Sequence, residues 1–158
     1  MAERDPEAVR RFVEQFASAM EASGLPRMPA RVFAALLASD SGRMTAAELA
    51  ETLQVSPAAI SGAVRYMIPV NLVRREREPG SRRDIYVVDD DTWYEVTLHR
   101  DQALARWHAS AEEGARVLGP DTPAGARMRE TALFFSFLRE QLPQIMQQWQ
   151  KFKIEMRR

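Results

Sequence analysis

Two helix-start signals lie eleven residues apart near the middle of this chain, a spacing with room for little except two short helices and a tight turn. Thr45 can accept a hydrogen bond from the backbone N–H of Glu48 while Glu48 reaches back to the N–H of Thr45. That capping box opens a helix before Leu49, Ala50 and Leu53. Ser56-Pro57 is the second signal, because the serine satisfies a free amide and proline at the first helical position removes a donor that had no partner. Only Gln54 and Val55 separate the two helices. In the second helix Ile60, Val64, Met67 and Ile68 recur at helical spacing and predict a buried stripe, with Val55 plugging the angle between the pair. Ala58, Ser61, Gly62 and Arg65 then point outward, with Ala59 and Tyr66 on the flanks.

Small residues near the start of such a helix let its backbone approach a DNA major groove, where Arg65 could reach a guanine edge or a phosphate. The plainer reading is a solvated face with one ordinary surface arginine. The segment after the helix favours the first. Leu72-Val73 and Ile85-Tyr86-Val87-Val88 are β-prone runs on either side of Pro79-Gly80-Ser81, which predicts a hairpin. Its segment 74–83 carries Arg74, Arg75, Arg77, Arg82 and Arg83 against Glu76 and Glu78, a local charge of +3 in a chain of formal net charge zero. Arginine on a hairpin tip can enter a narrow minor groove or hold phosphates with its planar fork of donors. Alternating Arg and Glu on a ribbon can also serve only to solubilise it.

The run GLPRMPARVFAALLASDSGRMTAAELAETLQVSPAAISGAVRYMIPVNLVRRERE followed by PGSRRD, within residues 24–90, resembles MarR-type transcriptional regulators, particularly their GbsR-like branch. The resemblance implies a mainly α fold with a small β-hairpin wing, a winged helix-turn-helix with N- and C-terminal dimerisation helices. It implies a homodimeric, sequence-specific DNA-binding regulator, usually a repressor, with recognition helices in successive major grooves and wing arginines at the minor groove. Ser56, Pro57, Ala58, Ser61, Gly62, Arg65 and Tyr66 match recognition-helix positions, and Arg82 and Arg83 match the wing. Thr45 joins them as a candidate DNA contact. Ser81 stands where many members have an acidic residue that orients the wing arginine, so Arg82 is either less constrained or uses Asp84. Pro69 falls in the last turn expected for the recognition helix, where its ring should stop or kink it and alter the direction of Arg65. The rival from another class is a winged helix that binds protein and not DNA.

On this reading one subunit spans residues 1–158, with the winged helix at 24–90 and helical dimerisation regions at 1–23 and 91–158. The 158 residues, 46% hydrophobic, supply one compact core rather than two independent domains. With no cysteine, disulfides, thiol redox sensing and a cysteine nucleophile are excluded. No apolar run approaches the ~20 residues of a membrane span, and MAERDPEAVRRF does not read as a signal peptide, so a cytoplasmic protein is expected. His99 and His108 are nine residues apart and off a common helical face, and no phosphate loop, catalytic acid pair or activated serine is recognisable. Neither an enzyme nor a bound cofactor or metal is expected.

The flanks read as helices. Asp5-Pro6 opens one with Val9, Phe12, Val13, Phe16 and Met20 along a stripe that ends at Ser23-Gly24. Pro29 opens the next, whose Val32, Phe33, Leu36 and Leu37 face the winged core until Ser41-Gly42. Asp89-Asp90-Asp91 precedes a capping box of Thr92 with Glu95. These aspartates fit the positive end of a helix dipole better than a metal site. That helix runs to about Leu118 before Gly119-Pro120. Thr122-Pro123 starts the last segment, rich in large apolar residues, which Pro143 should kink or split. Phe12, Phe16, Phe134, Phe137, Leu138, Leu142, Ile145, Trp149 and Phe152 are the candidates for an isologous dimer interface. A small-molecule effector of unknown identity is a further possible partner, with Trp93, Tyr94 and Trp107 as lining candidates or as core.

Overall fold

Caps fix where most elements begin. A computed structural model describes residues 4–158, apart from the side chains of Glu95, Leu98 and His99. The capping box expected of Thr92 with Glu95, and the placement of His99, lie outside the described residues. The chain forms two compact units, Met1–Thr92 and Trp93–Arg158.

In the first unit α1 (Pro6–Ala22) starts where Asp5 accepts from the N–H of Glu7, and the chain leaves it through Gly24 in the left-handed region. Helix α2 (Arg27–Ala38) begins two residues before the expected Pro29. Proline is tolerated there because the first-turn amides have no intrahelical partner to lose. Helices α3 (Ala46–Leu53) and α4 (Pro57–Met67) have the expected caps, including the complete Thr45–Glu48 box and Ser56 accepting from the N–H of Ala59. Gln54, left-handed at φ 54°, makes the turn between them. Helix α4 ends at Met67, before Pro69. Asn71 adopts φ 55°, and the N–H of Leu72 closes back onto the Met67 carbonyl. This arrangement satisfies the helix end.

The hairpin differs from expectation in two ways. Its first strand is β2 (Arg74–Arg77), not Leu72-Val73, which are buried leading into it, since the Leu72 amide is already committed to the helix end. A third strand, β1 (Arg43–Thr45), also joins. The antiparallel order is β1-β3-β2, with β3 (Asp84–Val87) central, Arg43 and Arg74 both opposite Val87, and Arg77 opposite Asp84. The core beneath is formed by Val32, Phe33 and Leu36 of α2, Leu49 of α3, and Ile60, Val64 and Met67 of α4, all essentially inaccessible. Each such side chain contributes roughly 1.5–3 kcal/mol by leaving water.

The second unit is an antiparallel helical hairpin. Helix α5 (Thr92–Leu118) turns through Gly119 and Thr122 into α6 (Pro123–Met156). Thr122 accepts from the N–H of Gly125, and a Cβ on Gly125 would lie 1.8 Å from the Gly119 carbonyl oxygen, so only glycine fits. Asp101 faces Arg139 (3.0 Å), Trp107 packs on Phe135 (5.4 Å between ring centroids), and Gly114 lets Met128 approach. Pro143 does not split α6, which is continuous over 34 residues. Pro143 is exposed, so water can take the carbonyl that its missing N–H releases.

Candidate nucleic-acid interface

Helix α4 presents two unlike faces. Ile60, Ala63, Val64 and Met67 are buried, Ile68 is half-buried, and Ser56, Pro57, Ala58, Ser61, Gly62, Arg65 and Tyr66 are exposed. Across its first two turns the exposed face carries nothing larger than proline, so the backbone can approach a surface closely. Arg65 lies back along its own helix, with Nε 3.4 Å from the Ser61 carbonyl. Thr45 is half-buried, and its hydroxyl oxygen accepts from Glu48 while keeping a proton to donate.

The wing sorts its charges. Arg74 bonds both Glu76 and Asp89, and Glu76 also bonds Arg43 from β1. These contacts hold the Glu76 carboxyl below the usual carboxylate range, through Arg74 first and then Arg43, and they raise the already high Arg74 pKa, with Asp89 the larger cause. Arg75 and Arg77 stand 3.9 Å from the Asp84 carboxylate. Asp84 is thus occupied by the strands, not by Arg82. In the loop 78–83, Ser81 accepts from the N–H of Arg83, the N–H of Glu78 donates to the Arg83 carbonyl, and Gly80 takes φ 76°. Arg82 and Arg83 are exposed there and have no carboxylate partner among the described residues.

Known proteins agree with this geometry. Residues 23–84 match the profile of the MarR family, and residues 91–152 match that of MmpR5-like MarR family transcriptional regulators. The chain belongs to the MarR family. This MarR regulator is 29% identical over 119 residues to the HTH-type transcriptional regulator MmpR5 of Mycobacterium tuberculosis, covering 75% of this chain and 72% of that one. It is 32% identical over 84 residues to the HTH-type transcriptional repressor OpcR of Bacillus subtilis, covering 53% of this chain and 45% of that one. A crystal structure of a transcriptional regulator superposes with a TM-score of 0.82 at 26% identity, over 91% of this chain and 99% of that one. The MarR protein is therefore a DNA-binding transcriptional regulator and not an enzyme.

Of the residues expected at a dimer interface, none is fully buried. Phe12, Phe134, Phe137, Ile145, Trp149 and Phe152 are exposed, whereas Phe16, Leu138 and Leu142 are half-buried. Phe12 stacks on Phe16 at 6.0 Å. Trp93 and Trp107 are exposed and Tyr94 half-buried. A cavity of about 330 Å³ on the α5–α6 hairpin is lined instead by Thr97, Asp101, Arg139, Leu142, Pro143 and Met146. His108 lies 3.5 Å from Glu112 one turn on. Among the described residues no group of acidic, histidine or cysteine side chains could hold a metal, and no helix is long and apolar enough to cross a membrane. Sequence reasoning missed Arg43 and Asp89 as ion-pair partners of Glu76 and Arg74, because both reach the hairpin from outside it.

Proposed function

We propose that this regulator is a homodimeric repressor of the GbsR-like branch, acting in the cytoplasm where its DNA lies. Two copies join through α1 and α6 and set their α4 helices into successive major grooves. Ser56, Pro57, Ala58, Ser61 and Gly62 allow close approach, Arg65 and Tyr66 read base edges, and Thr45 donates to a phosphate. Arg82 and Arg83 lie at the minor groove, where sequence-dependent width adds preference without base contacts. The observation that carries this reading is the sorting of the wing. Every strand arginine has a carboxylate within reach, Asp84 being shared by Arg75 and Arg77, whereas the tip arginines have none among the described residues, so the tip is where a polyanion gains most. The branch assignment rests on the resemblance of residues 24–90 alone. A small-molecule effector would act by favouring one spacing of the two recognition helices over another. The deciding experiment selects bound duplexes from genomic DNA, then titrates one of them and a random duplex by anisotropy at several salt concentrations. Steep salt dependence with preference for the selected duplex is expected. Salt-independent or absent binding would favour a protein-interaction module.

A further inference from the structure

Arg31 serves neither the apolar core nor the exposed face of α4, yet its side chain is only 16% exposed. It sits in the body of α2 and forks onto Glu14 of α1. Nε donates to the two carboxylate oxygens at 3.0 and 3.1 Å, and Nη2 donates to one of them at 2.7 Å. Nη2 also donates to the Leu53 carbonyl at 3.0 Å, and Nη1 lies 3.6 Å from the Met28 sulfur. One guanidinium therefore ties α1, α2 and the end of α3. A cavity of about 180 Å³ lies around it, between Val9 and Val13 on α1 and Thr52 and Gln54 at the end of α3. Arg31 thus bridges a gap that apolar packing leaves open.

The bonded carbonyl has a particular place in the chain. Leu53 ends α3, where carbonyls have no amide four residues ahead within the helix. The amides of Gln54 and Val55 take the Ala50 and Glu51 carbonyls, and Arg31 takes that of Leu53. Gln54 is the left-handed residue at which the chain turns into α4, three residues before its first turn. We infer that Arg31 is a positioning residue for DNA recognition, locking the α3–α4 turn to α1 so that α4 is presented at one angle. The inference rests on the DNA-binding reading of α4. A planar fork can satisfy a carboxylate and a carbonyl together, which a lysine ammonium at the same place cannot reproduce.

The test uses the full chain, a duplex selected by the wild type from a random pool, and a scrambled duplex of equal length. All titrations are corrected for active fraction and run well below each variant's melting temperature. Arg31→Ala is expected to weaken binding to the selected duplex about tenfold, the effect of losing one charge-assisted tie. Binding to the scrambled duplex, dominated by phosphate attraction, should change by less than about threefold. Arg31→Lys should fall between, and Glu14→Gln should keep the Leu53 contact and lose less. The exchange Glu14→Arg with Arg31→Glu restores opposite charges across α1 and α2 and should recover thermal stability. It leaves the Leu53 carbonyl without its donor and should not recover the preference. Wild-type affinity in Arg31→Ala, or in Arg31→Lys if the alanine variant does not fold, overturns the inference. So does full recovery of preference in the exchange variant. A wild type that selects no duplex would instead remove the DNA-binding reading beneath it.

Discussion

Phe33 and Phe137 are the same side chain on helices of one protein, yet Phe33 is 0% exposed and Phe137 is 58% exposed. The contrast holds for the two units they belong to. In the first, α2, α3 and α4 converge on a shared core, and the large residues of their inner stripes are buried except Leu37 and Ile68, which are half-buried. In the second, two long helices meet along one seam, and apart from glycine the described residues buried in it are Leu104, Ala111 and Ala132. A two-helix hairpin has one contact line for two apolar faces, so much of its surface must find cover elsewhere. The core of α2, α3 and α4 is thus closed on itself, whereas the hairpin, like Phe12 on α1, leaves apolar surface open.

Mutations can break that comparison. Phe33→Ala should cost about 3–5 kcal/mol of unfolding free energy by opening a cavity in a closed core, read by urea denaturation. A loss below about 1 kcal/mol would mean the winged unit is not close-packed. Phe137→Asp should leave that unit folded while weakening self-association by at least about 30-fold, as charge at the centre of an apolar interface does. Sedimentation would show it, and an unchanged dimer would place the interface elsewhere. Within the winged unit, Arg82→Ala and Arg83→Ala should each lower the salt slope of DNA binding by about one and weaken all duplexes alike, whereas Arg65→Ala should relax sequence preference by about 1–3 kcal/mol. Arg75→Ala, already matched by Asp84, should do less than either tip change.

The smallest effect concerns pH. The Glu76 carboxyl is held below its ordinary value by Arg74 and then Arg43, so the folded wing binds protons less readily than the unfolded chain. Its contribution is present at neutral pH and fades as pH falls through that lowered value. Carboxyl chemical shifts should show Glu76 titrating below the ordinary carboxylate range. A normal midpoint would mean that the strands do not hold their charges in solution.

How much of this was legible in the sequence depended on the distance over which each feature is decided. Thr45 with Glu48, and Ser56 with Pro57, satisfy amides within three residues, so the order of α3 and α4 could be read directly. Strand β1 could not be read that way. Arg43-Met44-Thr45 is too short for its alternation to signal a strand, and it is one only because β3, some forty residues away, offers a free edge. The same distance hid the pairing of Arg74 with Asp89 and of Glu76 with Arg43, so the sequence could not separate the strand arginines, which have carboxylates within reach, from the tip arginines, which have none among the described residues. Pro143 misled in the other direction, since one lost hydrogen bond on a solvent-facing side does not outweigh the rest of a long helix. Arg31 carried a faint signal, a charge in the body of an otherwise apolar helix, but its partners on α1 and α3 belong to the tertiary fold.

Helix α6 has 34 residues against the 27 of α5, so about two turns extend past the end of their shared seam, bearing Phe152, Ile154 and Met156. If a second copy covers that overhang, the competent species forms in proportion to the square of the free chain concentration when the protein is scarce. The amount of regulator in a cell would then act as an input in its own right, with occupancy of the DNA rising more steeply than expression and falling faster when the protein is diluted by growth.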